Sequence, residues 1–155
     1  MRYSIDTSAL LEAWRRQYPP DVIPALWDGL DNLIRSGDLK STEEVLHELE
    51  RKDDDVFQWA RSRRALFVEI DSPIQTAVQA ILRDHRKLLD TRKSRSGADS
   101  FVIALAQLNN ATVVTNERMT GSADRPNIPD VCGALRIRCI NILELIREQG
   151  WVFRL

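Results

Sequence analysis

The constraint that governs this chain is a regular alternation of short β-prone runs with longer helical patterns. Tyr3-Ser4-Ile5, Leu39-Lys40, residues 65–70, Thr112-Val113-Val114-Thr115 and Arg138-Cys139-Ile140 read as strands. Helical patterns fill the intervals: 8–16, a stripe from Ile23 to Ile34 closed by Gly37, Ser41 to about Arg51, 56–63, a stretch opened by Asp71-Ser72-Pro73, and 98–108. A short helix begins near Pro129 and a last one runs from Asn141 to Gly150. Strands separated by helices cannot pair as hairpins; they line up in parallel and the helices cover both faces. The expected fold class is therefore α/β, a three-layer α/β/α domain with a central, mostly parallel sheet. The 155 residues contain no internal repeat and no long linker, so one domain over 1–155 is expected.

Local signals sharpen the boundaries. Ser41-x-x-Glu44 and Asn141-x-x-Glu144 have the form of capping boxes. Asp53-Asp54-Asp55 reads as the acidic first turn of a helix, compensating its dipole, and Pro129 suits a first helical position.

Parallel α/β sheets gather ligands and chemistry beyond the carboxyl ends of their strands. Asp6 directly follows the first strand, and with Ser8 it can also cap the next helix. Asp99 opens the most apolar helix. At 100° per residue it shares a side with Val102, Ile103 and Ala106, with Ser100, Ala104 and Gln107 opposite. A carboxylate facing the core needs donors, cations or a metal. Glu48 flanks the inward stripe of Val45, Leu46 and Leu49, while Glu50 flanks its other edge, and Glu117 follows the Thr112–Thr115 run by two residues.

Four carboxylates converging on one crevice repel one another unless a hard cation lies among them. Oxygen-only ligands favour Mg²⁺ or Mn²⁺, and the chemistry that suits such a site is phosphodiester hydrolysis. The two histidines, His47 on an exposed helix face and His85 in a basic segment, make no Ser-His or Cys-His arrangement. Cys132 and Cys139 lie among apolar residues and read as buried structural thiols.

The formal charge of −1 excludes a polycation built to grip nucleic acid with its whole surface. Charge is instead segregated. Between 83 and 95, Arg83, Arg86, Lys87, Arg92, Lys93 and Arg95 outnumber Asp84 and Asp90. Arg92, Lys93 and Arg95 are the candidates for phosphate contacts, to an RNA backbone if the resemblance described below holds. The opening MRYSID is already strand-like, which leaves no room for a signal peptide, and no apolar run is long enough for a bilayer. A cytoplasmic protein without membrane contact is expected.

YSIDTSALL at 3–11, VLHELER around Glu48, ADSFVIALA around Asp99 and TVVTNE at 112–117 together resemble a PIN domain, the nuclease fold of VapC-type bacterial toxins. IPDVC at 128–132 and the aromatic ending Gly150-Trp151-Val152-Phe153 are similar to a further PIN-like bacterial branch. The resemblance implies Asp6, Glu48, Asp99 and Glu117 as catalytic carboxylates, with Asp6, Asp99 and Glu117 on the metal. It implies hydroxyl support from Thr7 or Ser8 and from Thr115. It also implies a Mg²⁺- or Mn²⁺-dependent endoribonuclease, often a homodimer, inhibited by a cognate antitoxin. The family's fourth acid is more commonly Asp, so Asp124 and Asp130 stand behind Glu117 as alternatives. A DNA-directed or structure-specific nuclease would use the same carboxylates, and a non-catalytic nucleic-acid or partner-binding subunit would keep the pocket without turnover. A phosphoacceptor module would need an acidic pair near the first strand, which offers only Asp6.

Overall fold

A computed structural model describes residues 1–88 and 97–155. Its strands are β1 (Tyr3–Ile5), β2 (Leu39–Thr42), β3 (Phe67–Val68), β4 (Thr112–Val114) and β5 (Cys139–Ile140). They form an all-parallel sheet in the order β3-β2-β1-β4-β5. The helices are α1 (Thr7–Glu12), α2 (Pro24–Arg35), α3 (Glu43–Lys52), α4 (Asp54–Arg61), α5 (Ser72–Asp84), α6 (Ala98–Asn109), α7 (Ile128–Leu135) and α8 (Ile142–Gln149). None of these is long and apolar enough to cross a membrane.

β1 is the central strand, and all three of its residues are buried. The connections from β1 to β2 and from β3 to β4 cross the sheet in opposite directions. Right-handed crossovers then set α2 and α6 on opposite faces and give the three layers. α6 packs over β1, β2 and β4, and the Ser4 hydroxyl of β1 donates to the Val102 carbonyl at 2.8 Å. On the other face the Tyr3 hydroxyl meets Glu148 and accepts from Gln149 Nε2 at 2.8 Å, which ties α8 to the same strand. The alternation of side chains along one three-residue strand thus anchors both helical layers.

Several local expectations need correction. Ser41 is not a helix cap. It lies within β2, where its hydroxyl donates to the Ile5 carbonyl at 2.7 Å and ties β2 to the end of β1. α3 starts after Thr42 with no side-chain cap, and Glu44 faces His47 at 3.8 Å. The reason is competition: a buried hydroxyl within reach of a neighbouring strand's carbonyl is satisfied there. In α6, Ser100 and Ala104 are as buried as Val102 and Ile103, so the helix has no open face where they stand. α5 packs along α6 and covers that second side, and the Ser100 hydroxyl is satisfied by the Gly97 carbonyl at 2.8 Å. α1 gives way to a wider π-type turn over Ala13–Gln17, and the run 65–70 shortens to the two residues of β3. Asp71 and Asn141 cap their helices as their positions predict, whereas Asp53, expected in the acidic first turn, lies before α4 and caps it.

Candidate metal centre

The strand order contains one point where neighbouring connections part in opposite directions, between β1 and β4, and there the helices leave a crevice. Asp6 ends β1 on one side of it. Thr115 to Glu117 end β4 on the other, and α6 brings Asp99 in its first turn from above. Carboxylate oxygens of Asp6, Asp99 and Glu117 all lie within 4.8 Å of one another. Asp6 is buried, and its two partners are half-buried.

A small network fixes Asp6. One oxygen accepts from the Ala9 N–H at 3.0 Å, so the helix-capping role expected of it is also real. The other accepts from the Thr115 hydroxyl at 2.7 Å, and the Ser8 hydroxyl lies 3.0 Å from both oxygens. The Ser8 oxygen accepts from the Asn116 N–H, and the Thr115 oxygen from the Glu117 N–H. Glu117 is steered in turn by the Ile128 N–H at the start of α7, 3.1 Å from one carboxylate oxygen. Ser8 and Thr115 therefore support Asp6. Thr7 does not, because its buried hydroxyl has no hydrogen-bond partner among the described residues.

Burial pushes the Asp6 carboxyl up to about 7, and the neighbouring Glu117 carboxylate adds to the rise. The Ala9 N–H and the Thr115 and Ser8 hydroxyls pull the other way but do not prevail. Carboxylates this close together repel one another unless a positive charge lies among them. One oxygen from each of the three lies within 4.8 Å of the others, close enough for a single hard cation to be shared among them. The donor set, three carboxylates with no soft ligand, fits Mg²⁺ or Mn²⁺.

Glu48 is buried on α3 but does not belong to this 4.8 Å group, and Lys52 Nζ, one turn on, reaches it at 2.7 Å. The i, i+4 spacing of Glu48 and Lys52 was a readable signal for that pair. Asp124 is exposed, and Asp130 is committed elsewhere. The Asp130 carboxylate accepts from the N–H groups of Thr120, Gly121 and Asn127 and from the Thr120 hydroxyl. Burial opposes its ionisation, yet those donors hold it below the usual carboxylate range. It organises the loop before α7. Arg92, Lys93 and Arg95 lie outside the described residues.

Sequence reasoning missed Gln17. Its amide donates to the Asn116 side chain at 3.2 Å, so the π-type turn reaches the loop that carries Glu117. Cys132 is buried, whereas Cys139 is only half-buried, contrary to the expectation for both. Hydrogen bonding with Cys139 and burial drive the Cys132 thiol far up, and the charges of Asp6 and Glu117 reinforce them. A thiol so held is not a nucleophile.

Fold and site together define a parallel α/β domain with an acidic pocket at its topological switch point. The chain belongs to the family described as a domain of unknown function (DUF4411), whose model matches residues 3–153. No curated protein gives a significant match.

Proposed function

We propose that this protein is a PIN-type, divalent-metal-dependent endoribonuclease. The observation that carries the reading is the convergence of Asp6, Asp99 and Glu117 where the β1 and β4 connections part. A Mg²⁺ or Mn²⁺ ion, when bound, supplies Lewis-acid activation of water and offsets charge on the scissile phosphate. Asp6 and Asp99 hold that ion, and Glu117, aimed by the Ile128 N–H, closes the pocket. Ser8 and Thr115 keep both Asp6 oxygens oriented. The resemblance adds Glu48, with Lys52 against it, as the fourth acid. Resemblance to VapC-type proteins extends the reading to a cytoplasmic toxin, a homodimer and a cognate antitoxin.

The test is calorimetric titration of Mn²⁺ into the parent, Asp6→Asn and Asp99→Asn, followed by incubation of labelled RNA and DNA with and without chelator. Binding by the parent that weakens at least tenfold in both variants, with chelator-sensitive RNA cleavage, supports the reading. Metal binding with no cleavage of any nucleic acid favours a non-catalytic binding subunit. A parent that binds no metal at millimolar concentration removes the basis for a nuclease.

A further inference from the structure

A groove of about 630 Å³ opens beside the carboxylates, lined by Arg83 and the turn after it, by the loop that follows Glu117, and by α7. Its position follows from the helix directions. Pro73 and Ile74, in the first turn of α5, line a separate hollow with Leu105, Leu108 and Asn109 at the end of α6. The two helices therefore run antiparallel, and α5 ends at the level where α6 begins with Asp99. On the far side, Met119 comes two residues after Glu117, and Val131 lies within one turn of the Ile128 N–H that holds Glu117.

The walls differ in chemistry. One carries the exposed cations Arg83, Arg86 and Lys87. Of the two acids in the lining, Asp84 lies 3.7 Å from Arg83, and Asp130 is filled by the loop donors described above. The other wall is small and apolar. Met119 is 63% exposed, and a Cβ at Gly133 would come 3.6 Å from its terminal methyl, so the thioether lies close over the Gly133 backbone.

We infer that this groove holds an unpaired stretch of RNA, with phosphates along Arg86 and Lys87 and a base laid on Met119 over Gly133. Cations match the phosphates without reading sequence. A polarisable thioether above a flat floor matches the face of an aromatic base, and that face is open only in a single strand. The choice of RNA rests on the nuclease reading; the demand for a flat, anionic ligand rests on the groove alone.

The test is fluorescence anisotropy of a short, end-labelled single-stranded RNA of mixed sequence in the presence of EDTA, so that neither metal nor cleavage enters. Arg86→Ala/Lys87→Ala is expected to weaken binding at least tenfold and to lower the slope of log affinity on log salt by about 1.4, roughly 0.7 for each cation. Met119→Ala is expected to weaken binding about two- to tenfold with the salt slope unchanged. No binding by the parent at low salt, equal binding by parent and both variants, or competition by duplex RNA or free AMP as strong as by the single strand overturns the inference. The nuclease reading fails separately. Loss of binding in the variants of a parent that neither binds Mn²⁺ nor cleaves leaves the groove standing, whereas cleavage by variants that bind like the parent removes the groove alone.

Discussion

Asp6 is pulled in two directions. Its hydrogen bonds favour the ionised form, while burial and Glu117 favour the proton and bring the carboxyl to about 7 from an ordinary 3.8. The folded protein thus holds this proton more tightly than the unfolded chain does. The stability it contributes is complete below about pH 3.8, declines as pH rises, and is lost above about 7. Metal-free Asp6→Asn is therefore expected to melt higher than the parent at pH 8, with the gap closing toward pH 5. Identical melting curves at pH 8 would contradict a buried, ionisable Asp6. Mn²⁺ shows the reverse dependence, since the cation needs the carboxylate: affinity is expected to fall up to tenfold per pH unit below about 7. Asp6 and Glu117 were legible in the sequence because the first follows a strand directly and the second within three residues. The role of Asp130 was not, because its four donors come from a loop whose path no local pattern dictates.

Elements that contain their own punctuation were readable. Asp71 before Ser72-Pro73 and Asn141 three residues before Glu144 cap α5 and α8 through contacts within one turn. Ser41 misled because its hydroxyl bonds across the sheet to Ile5, a partner that sequence spacing cannot name. The sidedness of α6 failed for a similar reason, as a helix packed between a sheet and α5 has little use for a polar stripe. Gly29 on α2 shows the same dependence on a distant partner. A Cβ there would stand 2.8 Å from ring carbons of Trp151, just beyond α8. Gly29→Ala is expected to cost about 1–3 kcal/mol through overpacking, seen as a lower denaturation midpoint. In a Trp151→Ala background the same change is expected to cost little, and an equal cost in both backgrounds would show that the ring is not the obstacle.

For the molecule as a whole, the acidic pocket is a place where the folded state resists itself. Mutual repulsion and burial are tolerated because the surrounding sheet is buried and continuous, with Tyr3, Ile5, Leu39, Val113 and Val114 almost wholly inaccessible. A cation that binds only the folded form relieves that conflict. Mn²⁺ at about a hundred times its Kd is expected to add about 2.7 kcal/mol, a rise in Tm of roughly 5–10 °C for a chain of this size. Asp99→Asn is expected to remove most of that rise, and an undiminished rise would place the ion elsewhere.

The central position of β1 also bears on when the site can exist. Asp6 is made well before its partners: the Thr115 hydroxyl that orients it lies 109 positions later, and β1 has no neighbour on that side until β4 is made. Chains emerge from the ribosome N-terminus first. While the chain between β1 and β4 is being synthesised, the pocket is half a pocket: it lacks Glu117, Thr115 and the strand that would hold them. A growing chain of this topology carries Asp6 through the translation machinery with nothing to complete its site, which closes only when β4 docks against a strand made much earlier.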